Sequence, residues 1–214
     1  MQYGVFSDVH GDIRDLSAVW KAFEEWGLAG GDRPIFNAGD NVGYGPAPEE
    51  CIQFLRARPN VVCVRGNYDK NVALFPEREA EYHKRWGRTR PDKLAALRRD
   101  SYALSDGARQ WLLDLPGEAE VTLEGIPLLM THYSPGSKQG LGQWTPDGQL
   151  RDIASRTQAK VVLCGHTHSA FVRSAGGVLW VNPGSTGRAL DRRAHCAILT
   201  LEPGRAPAAR LKTA

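Results

Sequence analysis

The sequence lacks the paired cysteines and the long apolar runs that mark several classes of protein. Its cysteines stand far apart without C-x-x-C spacing, so neither a thiolate zinc site nor a disulfide framework is indicated for Cys51, Cys63, Cys164 and Cys196. No window approaches the roughly 20 consecutive apolar residues of a membrane span. The first residues have neither the basic region nor the apolar run of a signal peptide. We therefore expect a soluble cytoplasmic protein with buried, reduced thiols and no membrane partner.

A large excess of charge of one sign is also missing. The 27 Lys and Arg residues nearly balance the 24 Asp and Glu residues, and the net charge of +3 gives no reason to expect a specific nucleic-acid partner. With 214 residues and 42% hydrophobic content, the chain can bury a core as one domain, residues 1–214. One helical segment, at about residues 70–115, is basic, with nine Lys or Arg against four Asp or Glu between Lys70 and Arg99. It is either a solvated helix face or a site for an anionic substrate or partner.

The first third alternates short β-like runs with amphipathic stretches, which predicts a βαβ arrangement. Each predicted strand is followed by a polar, glycine-containing loop and then by a helix. We expect strands at Gln2–Phe6, Arg33–Asn37 and Asn60–Val64, with helices from about Ile13 to Trp26 and from about Pro48.

Beyond residue 70 the pattern becomes helical and then β-rich. The helical part is interrupted at Trp86-Gly87 and at Pro91, and Ser105 is a predicted N-cap. The second half predicts a hairpin, a short helix and further strands, at Ala119–Leu123, Pro127–Met130, Gln149–Arg156, Lys160–Leu163, Phe171–Arg173, Val178–Val181 and Cys196–Leu201. We expect the Ala/Pro/Arg-rich tail from Pro203 onward to fray.

Polar residues that can bind metals follow five of the predicted strands. Four of the six histidines belong to this set, which comprises Asp8, His10, Asp40, Asn67, His132, His166 and His168. Taken singly, an Asp or Asn beside Gly is typical of a turn, and a lone His is usually hydrogen-bonded. Ligands bind at the carboxyl ends of strands in open α/β sheets, so these side chains are expected to converge.

Mixed carboxylate, imidazole and amide donors suit Mn, Fe, Zn or Ni, of which we expect Mn. Seven donors are too many for one ion. They suit two divalent ions about 3.5–4 Å apart that share a carboxylate and a bridging hydroxide, an arrangement used for hydrolysis at phosphorus. The sequence therefore predicts a dinuclear centre.

The order of these motifs is specific: Asp-x-His, Gly-Asp, Gly-Asn, a single His after a strand, then Gly-His-x-His. In this order they resemble the calcineurin-like metallophosphoesterase superfamily. The resemblance implies that one metal is held by Asp8, His10 and His168, the other by Asn67, His132 and His166, and that Asp40 bridges them. It also implies an α/β fold (α+β by some schemes), a four-layer αββα sandwich of two mixed β-sheets flanked by helices.

One position departs from the family pattern. Many members carry a His directly after Gly-Asn, where this chain has Tyr68. A phenol with an ordinary pKa of about 10 is a weaker proton donor at neutral pH than an imidazolium, so the general acid is left open. Tyr68-Asp69 resembles the smaller prokaryotic branch, in which a turn like Asn182–Ser185 lies near the site. The loop Gly39–Pro46 is similar to a subgroup of phosphodiesterases and diadenosine tetraphosphatase-like proteins.

The resemblance implies a hydrolase whose bridging hydroxide attacks a phosphodiester or phosphoanhydride, with Asn67, Asp40 and His132 as catalytic residues. Asn67 would stabilise transition-state charge. We expect a small phosphorylated substrate, such as a nucleotide or dinucleoside polyphosphate, and candidate contacts from Tyr68, Arg65, Arg85, Arg88 and Arg188. The alternatives are a serine/threonine phosphoprotein phosphatase and a non-catalytic metal-binding scaffold. A homo-oligomer is left open.

Overall fold

The computed structural model describes residues 1–214 and contains ten strands and seven helices. The strands are β1 (Gln2–Phe6), β2 (Ile35–Asn37), β3 (Val61–Cys63), β4 (Glu118–Leu123), β5 (Ile126–Thr131), β6 (Val161–Leu163), β7 (Phe171–Ala175), β8 (Val178–Asn182), β9 (His195–Thr200) and β10 (Ala208–Thr213). The helices are α1 (Ile13–Glu25), α2 (Pro48–Arg56), α3 (Asn67–Ala73), α4 (Phe75–Trp86), α5 (Pro91–Ala103), α6 (Asp106–Asp114) and α7 (Asp147–Ala154).

The strands form two mixed sheets of five. The first has the order β10-β9-β1-β2-β3, and the second has the order β4-β5-β6-β8-β7. Within the first sheet β1, β2 and β3 are parallel, and β9 and β10 add antiparallel partners. Within the second, β5, β6 and β8 are parallel and the two edge strands are antiparallel to their neighbours. Each sheet thus has three parallel strands whose carboxyl ends share one edge.

The two sheets pack face to face around a shared apolar core. Val5 and Phe36 from the first sheet belong to the same buried cluster as Met130, Leu163 and Val181 from the second. Side chains of α1 and α2 cover the other face of the first sheet, and those of α7 cover the other face of the second. The predicted αββα sandwich of two mixed sheets is therefore confirmed.

Helix α1 begins where the sequence predicts, because the side chain of Asp12 accepts a hydrogen bond from the backbone N–H of Asp15. Helices α3 to α6 pack on a separate core that includes Phe75, Leu97 and Leu112. No helix of the structure combines the length and the apolarity that a membrane crossing requires.

The expectation that the tail frays from Pro203 is wrong, because Ala208–Thr213 forms β10. This strand pairs with β9 in antiparallel register, from Ala208 opposite Thr200 to Thr213 opposite His195. Backbone hydrogen bonds hold an edge strand without requiring an apolar face, so its sequence need not show the alternating apolar pattern from which a strand is predicted. Lys212 adds one side-chain contact, with its Nζ 5.5 Å from the centre of the Trp26 ring.

Candidate metal centre

The strand ends of both sheets deliver the seven predicted ligands to one place. Asp8 and His10 follow β1, Asp40 follows β2, and Asn67 begins α3 after β3. In the second sheet His132 directly follows β5, and His166 and His168 follow β6. The parallel strands bring these loops to the same edge of the sandwich, as expected for an α/β ligand site.

Five of the seven candidate ligands have a left-handed backbone. The φ angles are 54° for Asp8, 52° for His10, 58° for Asp40, 70° for His166 and 57° for His168. This region is unfavourable for residues with a Cβ atom, and such strain is concentrated at functional sites. The sharp bends turn the side chains inward directly after the strands end.

The first cluster comprises Asp8, His10 and His168, whose donor atoms all lie within 4.8 Å of one another. The Nε2 atoms of His10 and His168 are 2.9 Å apart. His168 Nε2 is 3.2 Å, and His10 Nε2 is 3.8 Å, from Asp8 Oδ1. Two imidazoles and one carboxylate oxygen therefore point at a common position.

The second cluster comprises Asp40, His132 and His166, again with donor atoms within 4.8 Å of one another. His132 Nε2 is 3.2 Å from Asp40 Oδ2, but the two atoms are not aligned as a hydrogen bond. The fourth predicted donor of this group, Asn67 Oδ1, is buried without a hydrogen-bond partner. The structure thus divides the histidines between two groups as the resemblance implies.

The hydrogen bonding of the clusters fits two cations. Four buried polar atoms have no partner in the protein, namely Asp8 Oδ1, His10 Nδ1, Asn67 Oδ1 and His132 Nε2. Buried polar atoms are nearly always paired, and three of these four are potential ligand atoms that a cation would satisfy. His132 Nδ1 is 2.7 Å from the carbonyl oxygen of Ala38, so it can donate its proton there and leave Nε2 free for a metal. His168 Nδ1 has a similar, longer contact of 3.3 Å with the carbonyl oxygen of Arg188.

Burial and neighbouring charge set the protonation of the histidines. Burial lowers the pKa of His10 to about 4 and also lowers that of His166, so both rings are neutral and able to bind a metal. Burial disfavours the charged form of His132 as well, but the adjacent Asp40 carboxylate outweighs it and raises the pKa of His132 to about 10. A cation bound by the second cluster would therefore have to displace a proton from His132.

Asp69 organises the loop that carries Asp40, a role that reasoning from the sequence missed. Its buried carboxylate accepts hydrogen bonds from the backbone N–H groups of Gly66 (2.8 Å), Asp40 (3.0 Å) and Asn41 (2.7 Å). Burial and then the charge of Asp40 raise the pKa of Asp69 to about 7. The only signal in the sequence was its place two residues after Asn67 in Gly-Asn-Tyr-Asp.

Other buried contacts tie the first cluster to the turn at Asn182–Ser185. The Ser185 hydroxyl donates to the carbonyl oxygen of Asp8 (2.8 Å), and the Asn182 amide donates to that of Gly165 (2.8 Å). Asp8 Oδ2 accepts hydrogen bonds from the Ser7 hydroxyl (2.7 Å) and from the backbone N–H of His166 (3.0 Å). Asp8 thus joins the two sheets through one carboxylate oxygen and leaves Oδ1 for a metal.

The comparisons with known proteins agree with this geometry. A family model described as "Calcineurin-like phosphoesterase superfamily domain" matches residues 1–204. The chain belongs to this superfamily. It is also 26% identical to an uncharacterized protein of Methanocaldococcus jannaschii in an alignment 202 residues long that covers 87% of this chain and 76% of that protein.

Several solved structures share the fold. The chain is similar to a hypothetical protein from Pyrococcus horikoshii, with a TM-score of 0.81, 20% identity and coverage of 99% of this chain and 87% of the other. A metallophosphoesterase from Sphaerobacter thermophilus gives a TM-score of 0.72 at 22% identity, covering 100% of this chain and 88% of that one. More distant neighbours are an archaeal phosphodiesterase (TM-score 0.58, 17% identity) and a protein proposed to be a diadenosine tetraphosphatase (TM-score 0.60, 15% identity).

Tyr68 occupies the position where many superfamily members have a histidine. Its buried hydroxyl is hydrogen-bonded to that of Tyr44, and its ring lies edge-on to His10 with centroids 5.1 Å apart. Burial and the Tyr44 hydrogen bond raise the pKa of Tyr68 well above its ordinary value. The phenol is therefore an even weaker acid than the sequence indicated. The guanidinium of Arg188 stacks on the outer side of Tyr44, 3.7 Å from the ring centre.

A cleft of about 800 Å³ opens beside the second cluster, with Asn67 and His166 in its wall. Arg65 and Arg85, two of the predicted substrate contacts, line it. Arg88 is exposed and does not line the cleft, and Arg188 instead stacks on Tyr44 beside the first cluster. Two of the four predicted arginines thus line the cleft, one lies beside the first cluster, and Arg88 lies at neither place.

Proposed function

We propose that this superfamily member is a hydrolase that cleaves a phosphodiester or phosphoanhydride bond with two divalent metal ions, of which Mn is our first choice. The observation that carries the proposal is the pair of donor clusters, Asp8 with His10 and His168, and Asp40 with His132 and His166. Two potential ligand atoms of these clusters, Asp8 Oδ1 and His132 Nε2, and Asn67 Oδ1 lack any hydrogen-bond partner in the protein. When bound, the ions would supply a hydroxide nucleophile at neutral pH and neutralise charge on the phosphoryl oxygens.

The chain's own residues would position the reacting groups. In this proposal Asp40 lies between the two clusters as the shared carboxylate, held by the backbone N–H of Tyr68, which donates to Asp40 Oδ1 at 2.7 Å. Asn67 has its Oδ1 free of hydrogen bonds and lies in the wall of the cleft, so its amide N–H can donate to a phosphoryl oxygen. His132 is held by the Ala38 carbonyl oxygen and presents Nε2 to the site.

Tyr68 is poorly suited to protonate a leaving group, because its pKa is raised and its hydroxyl is hydrogen-bonded to that of Tyr44. Substrates with good leaving groups, such as a nucleotide phosphate, would therefore be favoured over alkyl monoesters. This disfavours a phosphoprotein phosphatase, whose leaving group is the alkoxide of serine or threonine. The complete set of donors likewise disfavours a scaffold that has lost its metal ligands, and measured hydrolysis distinguishes the enzyme from a non-catalytic metal-binding scaffold.

The proposal is tested by the metal content of the purified protein and by its hydrolysis of bis(p-nitrophenyl) phosphate with added Mn²⁺. We expect about two metal ions per chain, as for other dinuclear sites, and activity that is lost in Asp40→Ala. A protein that binds no divalent ion and hydrolyses no phosphoester with any of Mn, Fe, Zn or Ni would overturn the proposal.

A further inference from the structure

The cleft beside Asn67 and His166 concentrates the positive charge of the protein. Six cationic and two acidic side chains line it, which leaves four positive charges in surplus, whereas the whole chain has a net charge of +3. Helices α3, α4 and α5 and the loop after β5 all contribute to its lining. The charged side chains therefore come from segments that are far apart in the sequence and border the same open volume.

Most of these cations have no anionic partner in the protein. Arg65 donates to the carbonyl oxygen of Leu113, and Arg78 is 3.8 Å from Glu81. The remaining four make no ion pair with a carboxylate, namely Lys70, Arg85, Lys93 and Lys138. Cations left unpaired around a concave surface are typical of a binding site for an anion.

Lys93 is the most buried of the four. Its Nζ lies 4.8 Å from the centre of the Tyr68 ring and 4.4 Å from that of Trp86, and the guanidinium of Arg85 is 5.0 Å from the same Trp86 ring. Aromatic faces partly compensate a desolvated ammonium, but they do not neutralise it. Lys93 therefore holds positive charge between the candidate metal centre and the cleft.

A simple phosphodiester does not account for the four unpaired cations of the cleft. It carries one negative charge, which the metal pair would neutralise, so four further cations have nothing to bind in it. A chain of linked phosphates does, because each added phosphate brings another charge along the cleft. Lys70 lies three residues after Asn67 on α3, hence about one helical turn along the helix, and Lys138 borders the cleft from the loop after β5.

We propose that the cleft is a subsite for polyphosphate, which binds the phosphates adjoining the one that is cleaved. Lys70, Arg85, Lys93 and Lys138 hold these phosphates, so the substrate class is a nucleoside or dinucleoside polyphosphate, or inorganic polyphosphate itself. This inference rests on the proposed function for the cleavage step but adds a separate binding property, which can be measured without turnover.

The first test is calorimetric binding of inorganic tripolyphosphate in the presence of EDTA, which removes any contribution from metal. The variant Lys70→Gln/Lys138→Gln should bind about tenfold more weakly than the wild type, since each lysine makes a charge-assisted contact. The control variant, Lys84→Gln/Lys160→Gln, loses the same charge from exposed positions outside the cleft and should change binding by less than about twofold. An equal effect of both variants would overturn the subsite.

The second test compares substrates in the metal-loaded enzyme. For Lys70→Gln/Lys138→Gln, kcat/KM should fall about tenfold or more with diadenosine tetraphosphate and tripolyphosphate, but by less than about threefold with bis(p-nitrophenyl) phosphate. A loss confined to the dinucleotide would overturn recognition of phosphate by the cleft, and an equal loss on all three substrates would also overturn it. If no substrate is hydrolysed, the proposed function fails, while the binding experiment still decides the subsite.

Discussion

His166 and His168 are separated by one residue, yet they belong to different donor clusters. His168 Nε2 is 3.2 Å from Asp8 Oδ1, whereas His166 lies with Asp40 and His132. Both have a left-handed backbone, and between them Thr167 donates from its hydroxyl to the carbonyl oxygen of Leu141 at 2.7 Å. The short motif therefore spans two candidate metal positions.

This division predicts a pattern of metal loss. His166→Ala and His168→Ala should each retain about one of two ions, because each removes a ligand from one position only. Combining His166→Ala with Asn67→Ala should remove no further ion, whereas combining it with Asp8→Ala should remove both. Metal analysis of the dialysed proteins measures this. Loss of both ions in His166→Ala/Asn67→Ala would contradict the assignment.

Gly66→Ala should destabilise the loop that presents Asp40. A Cβ atom at Gly66 would lie 2.0 Å from Asp40 Oδ1 and 2.3 Å from the Asp40 backbone nitrogen, so the loop must shift. We expect a loss of about 2–3 kcal/mol in the free energy of unfolding, together with weaker metal binding. Urea denaturation with metal analysis checks both. Gly30→Ala is the control outside the helices and strands, because nothing lies within 4 Å of its added Cβ, and it should be close to neutral.

The hydrogen-bonded phenol at position 68 predicts a strong dependence on the leaving group. Because the pKa of Tyr68 is raised, kcat/KM should rise steeply along a series of aryl phosphodiesters as the leaving phenol becomes more acidic. Tyr68→Phe should keep the same slope, since the hydroxyl donates no proton to the leaving group. Tyr68→His should flatten it by adding a group with a pKa near neutrality. A shallow slope in the wild type would show that another acid acts.

Because His168 has a left-handed backbone, we predict that glycine at this position gives a more stable protein than alanine, the reverse of the usual order. His168→Gly and His168→Ala both remove the imidazole, but only glycine adopts a φ of 57° without steric penalty. The Gly variant should therefore be about 1 kcal/mol more stable than the Ala variant in the absence of metal. Chemical denaturation in EDTA measures the difference. A more stable Ala variant would mean that the backbone at this position is not strained.

Periodicity and turn residues are local signals, and they predict the alternation of strands and helices and the convergence of the polar strand ends. The sandwich of two sheets is predicted only through the resemblance to the calcineurin-like superfamily. The sequence does not predict the left-handed backbone at five ligands, which depends on tertiary contacts such as the Asp69 carboxylate beneath the Asp40 loop. It also does not distinguish Arg85, which lines the cleft, from Arg88, which does not. Arg85 lies in the last turn of α4 and Arg88 lies two residues beyond its end, and only the packing of the chain decides which one faces the cleft.

Strand β10 shows a second limit of prediction from the sequence. Its residues include Ala208, Ala209 and Arg210, and its burial pattern gives no continuous apolar face. It is held by pairing with β9, a property of the exposed edge of its neighbour rather than of its own side chains. Prediction from local pattern therefore failed at this point.

The strained ligands also bear on how such a protein can change over generations. The proposed metal centre gives a reason for the left-handed backbone at five candidate ligands, whereas selection on folding alone would favour glycine at these positions. Once an ancestor no longer needed its metals, substitutions that abolish activity would be retained for their gain in stability. Proteins that keep this fold but have lost the activity are then an expected product of relaxed selection. Their sequences should carry glycine at some of these five positions.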